Sequence, residues 1–191
     1  GGRLEGRPID TLGYRGMHSY ELAFDNWYVP AENVIGGEGG LGRGFYYQMA
    51  GFENGRLQTA ARAIGVMQAA YEAARDYANN RVVFGQPIAK FQAVQFKLAD
   101  MATQIEAARQ LIWHAAALKD AGKPCLKEAA MAKLFASEMA ERVCSDAIQI
   151  HGGYGYLSDF PVERIYRDVR VCQIYEGTSD VQKIIIQRAL A

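Results

Sequence analysis

A carboxylate that could act as a base lies at Glu176, in the segment QIYEGTSDVQKIII at residues 173–186. Ser179 followed three residues later by Gln182 matches a capping box, which predicts that a helix begins at Ser179. The predicted helix has an apolar face formed by Val181, Ile184, Ile185 and Ala189. Glu176 precedes this helix and is followed by Gly177. Two interpretations are open at this point: a solvated residue in a connecting turn, or a base that the turn holds over a pocket.

A second group of chemically capable residues is the segment RVVFGQPIAKFQ at residues 81–92. An arginine can bind a pyrophosphate through paired hydrogen bonds, and a phenylalanine can pack on a flat ring. The segment therefore suits a phosphorylated aromatic ligand. The alternative is that Arg81 caps a long helix and that the phenylalanine lies in the core.

The third segment is QIHGGYGY at residues 149–156. Paired glycines at a helix end allow a phosphate or a ligand backbone to approach closely, and Gln149 and Gly153 share one helix face. The alternative is a glycine C-cap with aromatic packing. His151 has no identifiable nucleophile as a partner, so the segment indicates binding more than catalysis.

Charge and hydropathy lower the expectation of several functions. The 191 residues contain 21 Lys plus Arg and 21 Asp plus Glu, so no basic surplus is available for nucleic acid or for an anionic membrane. The sequence has no apolar run of membrane-spanning length and no signal-peptide pattern at its start. The chain begins without methionine, and GGRLEGRPIDTLGYRG reads as a loop within a domain, so we expect a piece of a longer protein.

The three cysteines, Cys125, Cys144 and Cys172, are odd in number and widely spaced. No CxxC motif is present, and no histidine lies at ligand spacing. The pattern predicts a reducing compartment and no metal site.

The elements that must position these segments are mostly helices. A strand is predicted within residues 17–35, where Tyr20, Leu22 and Phe24 alternate with polar or small residues. Helices are predicted at about 45–79, 92–121, 126–150 and 161–171, and from 179 onwards. The second has a bundle seam formed by Val94, Leu98, Met101, Ile105, Ala108, Ile112 and Ala115, and the third has an apolar stripe formed by Ala136, Ala140, Val143, Ala147 and Ile150. The fold class is therefore mainly α: an antiparallel up-and-down four-helix bundle with a short β remnant at the N-terminus.

The first helix contains three glycines, Gly51, Gly55 and Gly65, each at a propensity cost of about 1 kcal/mol. Glycines retained at this cost indicate that another group approaches the helix backbone closely.

Together and in this order, FDNWYVPAENVIG, RVVFG with Gln92, QIHGGYG and YEGTS resemble the acyl-CoA dehydrogenase family of flavoproteins. The resemblance covers the whole chain. It implies that residues 1–40 end the middle β-domain and that residues 41–191 form the C-terminal four-helix-bundle domain, which binds FAD and acyl-CoA.

The resemblance also implies roles for single residues. Glu176 is the expected base, which takes a proton from the carbon next to the thioester while the β-carbon passes a hydride to the flavin. Its backbone N–H, with a ribityl hydroxyl of FAD, is expected to hold the thioester carbonyl. A subgroup of the family has its base immediately before the position of Arg56; Gly55 stands there in this chain, which leaves Glu176. The expected substrate contacts are Glu53, Asn54, Gly55, Arg56, Tyr175, Gly177 and Arg188.

The expected FAD contacts fall into two sets. One set, at the start of the last helix, is Thr178, Ser179 and Asp180. The other set reaches the FAD of a partner subunit across a dimer interface: Arg81, Val83, Phe84, Phe91, Gln92, Gln149, Ile150, His151, Gly152 and Gly153. Relatives often have glutamine or glutamate at the place of Asp180 and a hydroxyl residue at the place of Val83, so these two contacts differ from the family pattern.

By this resemblance, the longer protein is expected to oxidise acyl-CoA to trans-2-enoyl-CoA and to pass electrons to an electron-transferring flavoprotein. It is expected to be a homodimer or homotetramer in the bacterial cytoplasm or the mitochondrial matrix, without a metal, nucleic acid or membrane span. The present chain alone is expected to be inactive. Two alternatives stay open: an acyl-CoA oxidase, and a non-catalytic helical oligomerisation or DNA-binding member of the same fold.

Overall fold

Five α-helices make up most of the chain in a computed structural model that describes residues 2–191. They are α1 (Gly44–Asn80), α2 (Gln92–Asp120), α3 (Leu126–His151), α4 (Pro161–Val169) and α5 (Ser179–Leu190). The predicted mainly α, antiparallel helical fold is confirmed, and the predicted ends of α1 and α3 are correct to within one residue. The short helix α4 ends before its predicted end, and a 3₁₀ turn continues from it over Arg170–Gln173.

Helix α3 lies at the centre of the bundle and packs against α1, α2, α4 and α5. The core between these helices consists largely of alanines, which allow the helix backbones to approach closely. The fully buried alanines of this core are Ala60, Ala63, Ala70, Ala74, Ala78, Ala108, Ala132, Ala136, Ala140 and Ala147. Met67, Met101, Ile105 and Val143 fill the remaining space. The predicted stripe of α3 is buried throughout, whereas Val94, Leu98 and Ile112 of the α2 seam are only partly buried.

An antiparallel hairpin precedes the helices and consists of β1 (Arg3–Ile9) and β2 (Ser19–Asp25). Its register runs from Arg3 opposite Asp25 to Ile9 opposite Ser19. The strand predicted within residues 17–35 is confirmed as β2, but the prediction of a loop for the first residues is wrong. The segment RLEGRPI has weak strand propensity, and its pairing with β2 makes it a strand. The side chains of both strands are exposed.

The connection between β1 and β2 touches the bundle at α4. The backbone N–H of Tyr14 donates a hydrogen bond to Asp168 Oδ1 at 2.5 Å. Gly13 lies against the backbone of Arg167, where a Cβ atom would overlap the main chain. This contact places Tyr14 beside the turn that precedes α5.

The predictions for the start and the faces of α5 need correction. Its N-cap is Thr178, whose hydroxyl accepts a hydrogen bond from the Val181 N–H, so the predicted capping box between Ser179 and Gln182 is wrong. Gln182 is the buried residue of the helix, because its amide reaches backbone carbonyls of the preceding turn instead. Ile185 is half-buried as predicted, but the other three residues of the predicted apolar face, Val181, Ile184 and Ala189, are exposed.

Candidate active site

The turn before α5 has an unusual backbone at Glu176. Glu176 has a φ of 56° and Gly177 a φ of 91°, so both residues lie in the left-handed region. A non-glycine residue there carries a conformational cost of roughly 1 kcal/mol or more, which the surrounding structure must offset. The Gln182 amide donates to the carbonyl of Glu176 at 3.1 Å and to that of Gly177 at 2.9 Å. Lys133 Nζ also donates to the Gly177 carbonyl, at 2.6 Å.

This backbone places the Glu176 carboxyl group directly on helix α1 at Gly55. A Cβ atom built on Gly55 would lie 2.6 Å from Glu176 Cδ and would overlap one carboxyl oxygen. No side chain larger than hydrogen fits at position 55 while the carboxyl group stays there. The expectation of a close approach to α1 is confirmed at Gly55, but it is wrong for Gly51 and Gly65, where no atom lies within 4 Å of an added Cβ.

One oxygen of the Glu176 carboxyl group is removed from solvent. Its Oε2 atom is buried and has no hydrogen-bond partner among residues 2–191. An unpaired buried acceptor is costly unless a ligand or a proton satisfies it. Of the two interpretations that the sequence left open, the geometry argues against the solvated turn residue, because the carboxyl group lies against α1 with one oxygen buried.

Arg56 follows Gly55 and adds a buried cation to the same place. Only 5% of Arg56 is exposed, and its Nε has no hydrogen-bond partner in the described part of the chain. Burial lowers the pKa of Arg56, while the carboxylates of Glu176 and Glu53 act in the opposite direction. Since arginine stays charged even with a lowered pKa, Arg56 offers unused donors to a polar ligand.

Unsatisfied polar atoms concentrate around this turn. Over residues 2–191, five buried side-chain polar atoms have no partner, and four of them belong to α1 or to the segment from Glu176 into α5: Arg56 Nε, Glu176 Oε2, Ser179 Oγ and Gln182 Oε1. Such a concentration is typical of a binding site rather than of a structural core.

Tyr175 is fixed by contacts with α1 and with the β1–β2 connection. Its hydroxyl accepts a hydrogen bond from Arg62 at 2.9 Å. The Arg62 guanidinium lies over the Tyr14 ring at 4.8 Å and over the Tyr175 ring at 5.7 Å. Burial raises the pKa of Tyr175 to about 12, so its hydroxyl stays protonated. Tyr14 and Arg62 were not predicted as part of the site, because they meet Tyr175 only through the fold.

The other predicted substrate contacts, Glu53, Asn54 and Arg188, are either paired with another side chain or exposed. Glu53 Oε1 accepts a hydrogen bond from Lys119 of α2 at 2.9 Å, and this bond lowers the pKa of Glu53. Asn54 is exposed beside it. Arg188 is exposed in the last turn of α5, about 14 Å along the helix axis from Ser179.

The start of α5 presents the first set of predicted cofactor contacts. Thr178 and Asp180 are exposed, and Ser179 is half-buried. Asp180 Oδ1 lies 3.7 Å from Lys183 Nζ, one turn further along the helix. The unpaired N–H groups and positive dipole end of a helix N-terminus suit an anionic or electron-rich ligand.

The second predicted set begins with a small hairpin after α1, formed by β3 (Val82–Val83) and β4 (Gln86–Pro87). Phe84 and Gly85 between them have φ values of 51° and 79°, as in a type I′ turn. Phe84 is 92% exposed and meets Phe91 edge to face at 6.5 Å. The interpretation of Phe84 as a core residue is therefore wrong. Val83 and Phe91 are half-buried, and Gln92 is exposed at the first position of α2.

A cavity of about 430 Å³ lies between this hairpin and the end of α3. It is lined by Tyr77, Arg81, Val83, Ile88, Ile150, His151, Gly152, Gly153, Tyr154 and Leu157. Arg81 lies over the Tyr154 ring at 5.2 Å. Gln149 is exposed, and Gly152 has a φ of 59° at the C-cap of α3. The structure thus brings together Arg81, Val83 and the segment 150–153, which the family resemblance places in one set.

His151 is a packed histidine at the edge of this cavity. Its ring stacks on Tyr77 with centroids 4.3 Å apart, and Nδ1 lies 2.8 Å from the Ala147 carbonyl. Because a carbonyl can only accept, Nδ1 carries the proton of the neutral ring. Burial lowers the pKa of His151, which favours this neutral form.

The Glu176 site at Gly55 and the cavity at the end of α3 are far apart within one chain. Gly55 and Asn80 are 25 residues apart in α1, which corresponds to about 38 Å along the helix. This distance exceeds the reach of one extended dinucleotide. The carboxyl site at Gly55 and the aromatic cavity at the end of α1 therefore serve different ligand molecules, or ligands shared with a second subunit.

Comparison with known proteins identifies the family. The model of the acyl-CoA dehydrogenase C-terminal domain matches residues 42–191. The chain belongs to the acyl-CoA dehydrogenase family. An acyl-CoA dehydrogenase of Bacillus subtilis is 52% identical over 185 residues, which are 97% of this chain and 48% of the relative. The chain thus spans about half the length of the curated relatives it matches.

Solved structures agree with this membership. Butyryl-CoA dehydrogenase from Megasphaera elsdenii superposes with a TM-score of 0.93 at 46% identity, covering 100% of this chain and 49% of that chain. A structure described as the electron transferring flavoprotein of Acidaminococcus fermentans gives a TM-score of 0.94 at 48% identity, again covering 100% of this chain and 49% of the other. The resemblance to acyl-CoA dehydrogenases that the sequence motifs indicate is confirmed.

One residue of this candidate site was missed in the sequence. Lys133 is fully buried in α3 and reaches the turn of Glu176. A signal was present, because Lys133 is in phase with the buried stripe that includes Ala129, Ala136 and Ala140. A lone charge in such a stripe indicates a buried partner.

Within residues 2–191, no three His, Cys, Asp or Glu side chains are grouped closely enough to hold a metal ion. In the same range, no helix has the length and apolarity needed to cross a membrane.

Proposed function

We propose that this chain is the C-terminal part of an FAD-dependent acyl-CoA dehydrogenase that oxidises acyl-CoA to trans-2-enoyl-CoA. The observation that carries the proposal is the Glu176 carboxyl group, which rests on Gly55 with a buried, unpartnered oxygen beside Arg56. The reaction requires removal of a proton next to a thioester, and a carboxylate with an unpaired, buried oxygen is suited to this.

Glu176 is the base of the proposed reaction. Its left-handed backbone directs the carboxyl group to α1 rather than to solvent, and Gly177 adds no side chain that would block a thioester. The free Oε2 lone pairs accept the proton from the carbon next to the thioester carbonyl. Burial of the same oxygen keeps bulk water from competing for the proton.

Arg56 and Tyr175 orient the substrate around this base. Arg56 has unused donors one residue from Gly55, and these are available to a polar group of acyl-CoA. Tyr175 stays protonated and is fixed by Arg62, so its ring provides a rigid wall next to Glu176. Glu53, already paired with Lys119, contributes charge and stiffness to this wall of the substrate channel.

The residues that line the cavity at the end of α3 fit FAD. The cavity combines aromatic rings, the Arg81 guanidinium and two exposed glycines, a set that suits a flat ring system joined to a pyrophosphate. The exposed Phe84 ring extends this set, and the start of α5, at the other site, suits an anionic or electron-rich part of an FAD shared between two subunits. When bound, FAD supplies the hydride acceptor. The separation of about 38 Å along α1 supports a homodimer or a larger homo-oligomer in which each FAD contacts two subunits.

We further propose that residues 1–40 belong to a β-domain and residues 41–191 to the helical domain, and that activity needs the longer protein. The exposed hairpin of β1 and β2 supports this, because its apolar side chains suit cover by further strands. Electron-transferring flavoprotein is the proposed electron acceptor, supported by the similarity to the Acidaminococcus fermentans structure.

The test is the Glu176→Gln variant of the full-length, FAD-loaded protein. Anaerobic mixing with butyryl-CoA should bleach the flavin in the wild type, and the variant should be slower by about 100-fold or more, as expected for loss of a general base. Glu72→Gln, on the exposed face of α1, is the matched control and should react like the wild type. If flavin bleaching by a panel of acyl-CoA thioesters survives the change at Glu176, the proposal is wrong. Comparison of turnover with electron-transferring flavoprotein and with dioxygen then decides between dehydrogenase and oxidase.

A further inference from the structure

Lys133 is a fully buried lysine whose ammonium group contacts the turn of Glu176. Its Nζ donates to the Gly177 carbonyl at 2.6 Å, and none of the salt bridges among residues 2–191 includes it. A buried ammonium group without a counter-ion is costly, and an apolar side chain of similar volume would cost less. The bundle therefore carries a charge that its own packing does not require.

The groups around Lys133 all belong to the candidate active site or its support. Arg56 of α1, Glu176 of the turn and the buried Cys172 thiol of the 3₁₀ turn after α4 are close enough to act electrostatically on the ammonium group. Burial lowers the pKa of Lys133 to about 8, which agrees with a site that solvates the charge poorly. The hydrogen bond to Gly177 is thus the specific contact that holds the ammonium group in place.

The accepting carbonyl belongs to the strained part of the chain. Glu176 and Gly177 both have positive φ, and this conformation sets the direction of the Glu176 side chain. Gln182 donates to the same Gly177 carbonyl at 2.9 Å, so the two donors hold it from the side of the core. A residue that fixes the Gly177–Thr178 peptide restrains the backbone next to Glu176, and with it the carboxyl group on Gly55.

We propose that Lys133 is a positioning residue for the base: its ammonium group holds the Gly177 carbonyl, and this orients the Glu176 carboxyl group over Gly55. The proposal deepens the function proposed above and rests on Glu176 being the base. Lys133 acts through the backbone of the turn and does not itself touch substrate.

The test uses Lys133→Met in the full-length, FAD-loaded protein, because methionine fills a similar volume without a donor. Hydrogen exchange of the amides in residues 174–181 should accelerate about 10-fold or more, the change expected for loss of a hydrogen bond from a charged donor. Peptides from α2 should exchange as in the wild type. Flavin reduction at saturating butyryl-CoA should slow about 10- to 100-fold with the Kd for butyryl-CoA within threefold, because the base is misplaced while the substrate contacts remain.

Ser137→Ala is the matched control, since Ser137 is buried one turn further along α3 and its hydroxyl bonds only within that helix, to the Leu134 carbonyl at 3.2 Å. It should change neither exchange at residues 174–181 nor flavin reduction. If Lys133→Met does not fold, Gln182→Met removes the other donor to the Gly177 carbonyl and should accelerate the same amides.

The two proposals fail in different ways. Unchanged exchange at residues 174–181 in Lys133→Met, or an equal effect in Ser137→Ala, overturns the positioning role. Faster exchange with an unchanged rate of flavin reduction shows that the bond orders the turn without serving the base, and also overturns it. A wild type that no acyl-CoA reduces overturns the proposed function, while the exchange experiment still reports whether Lys133 orders the turn.

Discussion

The contact between Gly55 and the Glu176 carboxyl group makes a sharp prediction for Gly55→Ala. The added Cβ would lie 2.6 Å from Glu176 Cδ, whereas ordinary van der Waals contact begins near 3.4 Å. The carboxyl carbon must therefore move by about 0.8 Å, and misplacement of a catalytic group by about 1 Å costs on the order of 100-fold in rate. We expect flavin reduction by butyryl-CoA to slow by about that factor.

Stability should respond much less than activity. Alanine is preferred over glycine inside a helix by about 1 kcal/mol, and Gly55 lies within α1. Overpacking costs about 1–3 kcal/mol, and the displaced group here is the end of one side chain. The two effects oppose each other, so the free energy of unfolding should fall by between about 0 and 2 kcal/mol.

The assay is stopped-flow flavin absorbance in the full-length protein, combined with urea unfolding. Gly65→Ala is the matched control: Gly65 lies in the same helix, and no atom lies within 4 Å of an added Cβ. It should gain about 1 kcal/mol of stability and keep its rate. A Gly55→Ala rate within twofold of the wild type would refute the reasoning, because the carboxyl group would then not rest on Gly55 during catalysis.

Two further predictions concern buried titratable groups. Burial lowers the pKa of Lys133 to about 8 from an ordinary 10.5; below pH 8 the buried charge destabilises the native state, and this destabilisation is relieved as pH rises through that interval. The urea midpoint of the wild type should thus rise relative to Lys133→Met between pH 7 and 9.5; a constant difference would contradict the pKa shift. Burial also raises the pKa of Cys144 to about 12 and that of Cys125 and Cys172 above the ordinary value, so iodoacetamide at pH 8 should label their peptides only after unfolding. Labelling of Cys144 in the native protein would show that the thiol is accessible.

The sequence predicted the helices well because their signals are local and repeated. Apolar residues recur with helical spacing in α2 and α3, and glycine and proline mark the end of α2 at Gly122 and Pro124. Strand β1 was missed for the opposite reason. Its seven residues include glycine, proline and three charges, and only the pairing with β2 makes them a strand.

The site was predicted in part. The position of Glu176 before a helix followed from the local sequence, and the grouping of Arg81 with the segment 150–153 was implied by the family resemblance. The roles of Gln182 and Lys133 did not, because a polar side chain in a helix does not reveal which backbone carbonyl it will reach across the fold. The capping-box pattern of Ser179 and Gln182 was misleading for the same reason, since Gln182 has partners that its own helix cannot provide.

The Phe84 turn has a consequence for how the chain behaves in solution. The hairpin of residues 82–87 fixes the backbone that presents the exposed ring, so covering the ring in the proposed homo-oligomer costs side-chain freedom but little backbone freedom. The same ring is a large apolar side chain left in solvent, so we expect unassembled chains to be the species most prone to non-specific association.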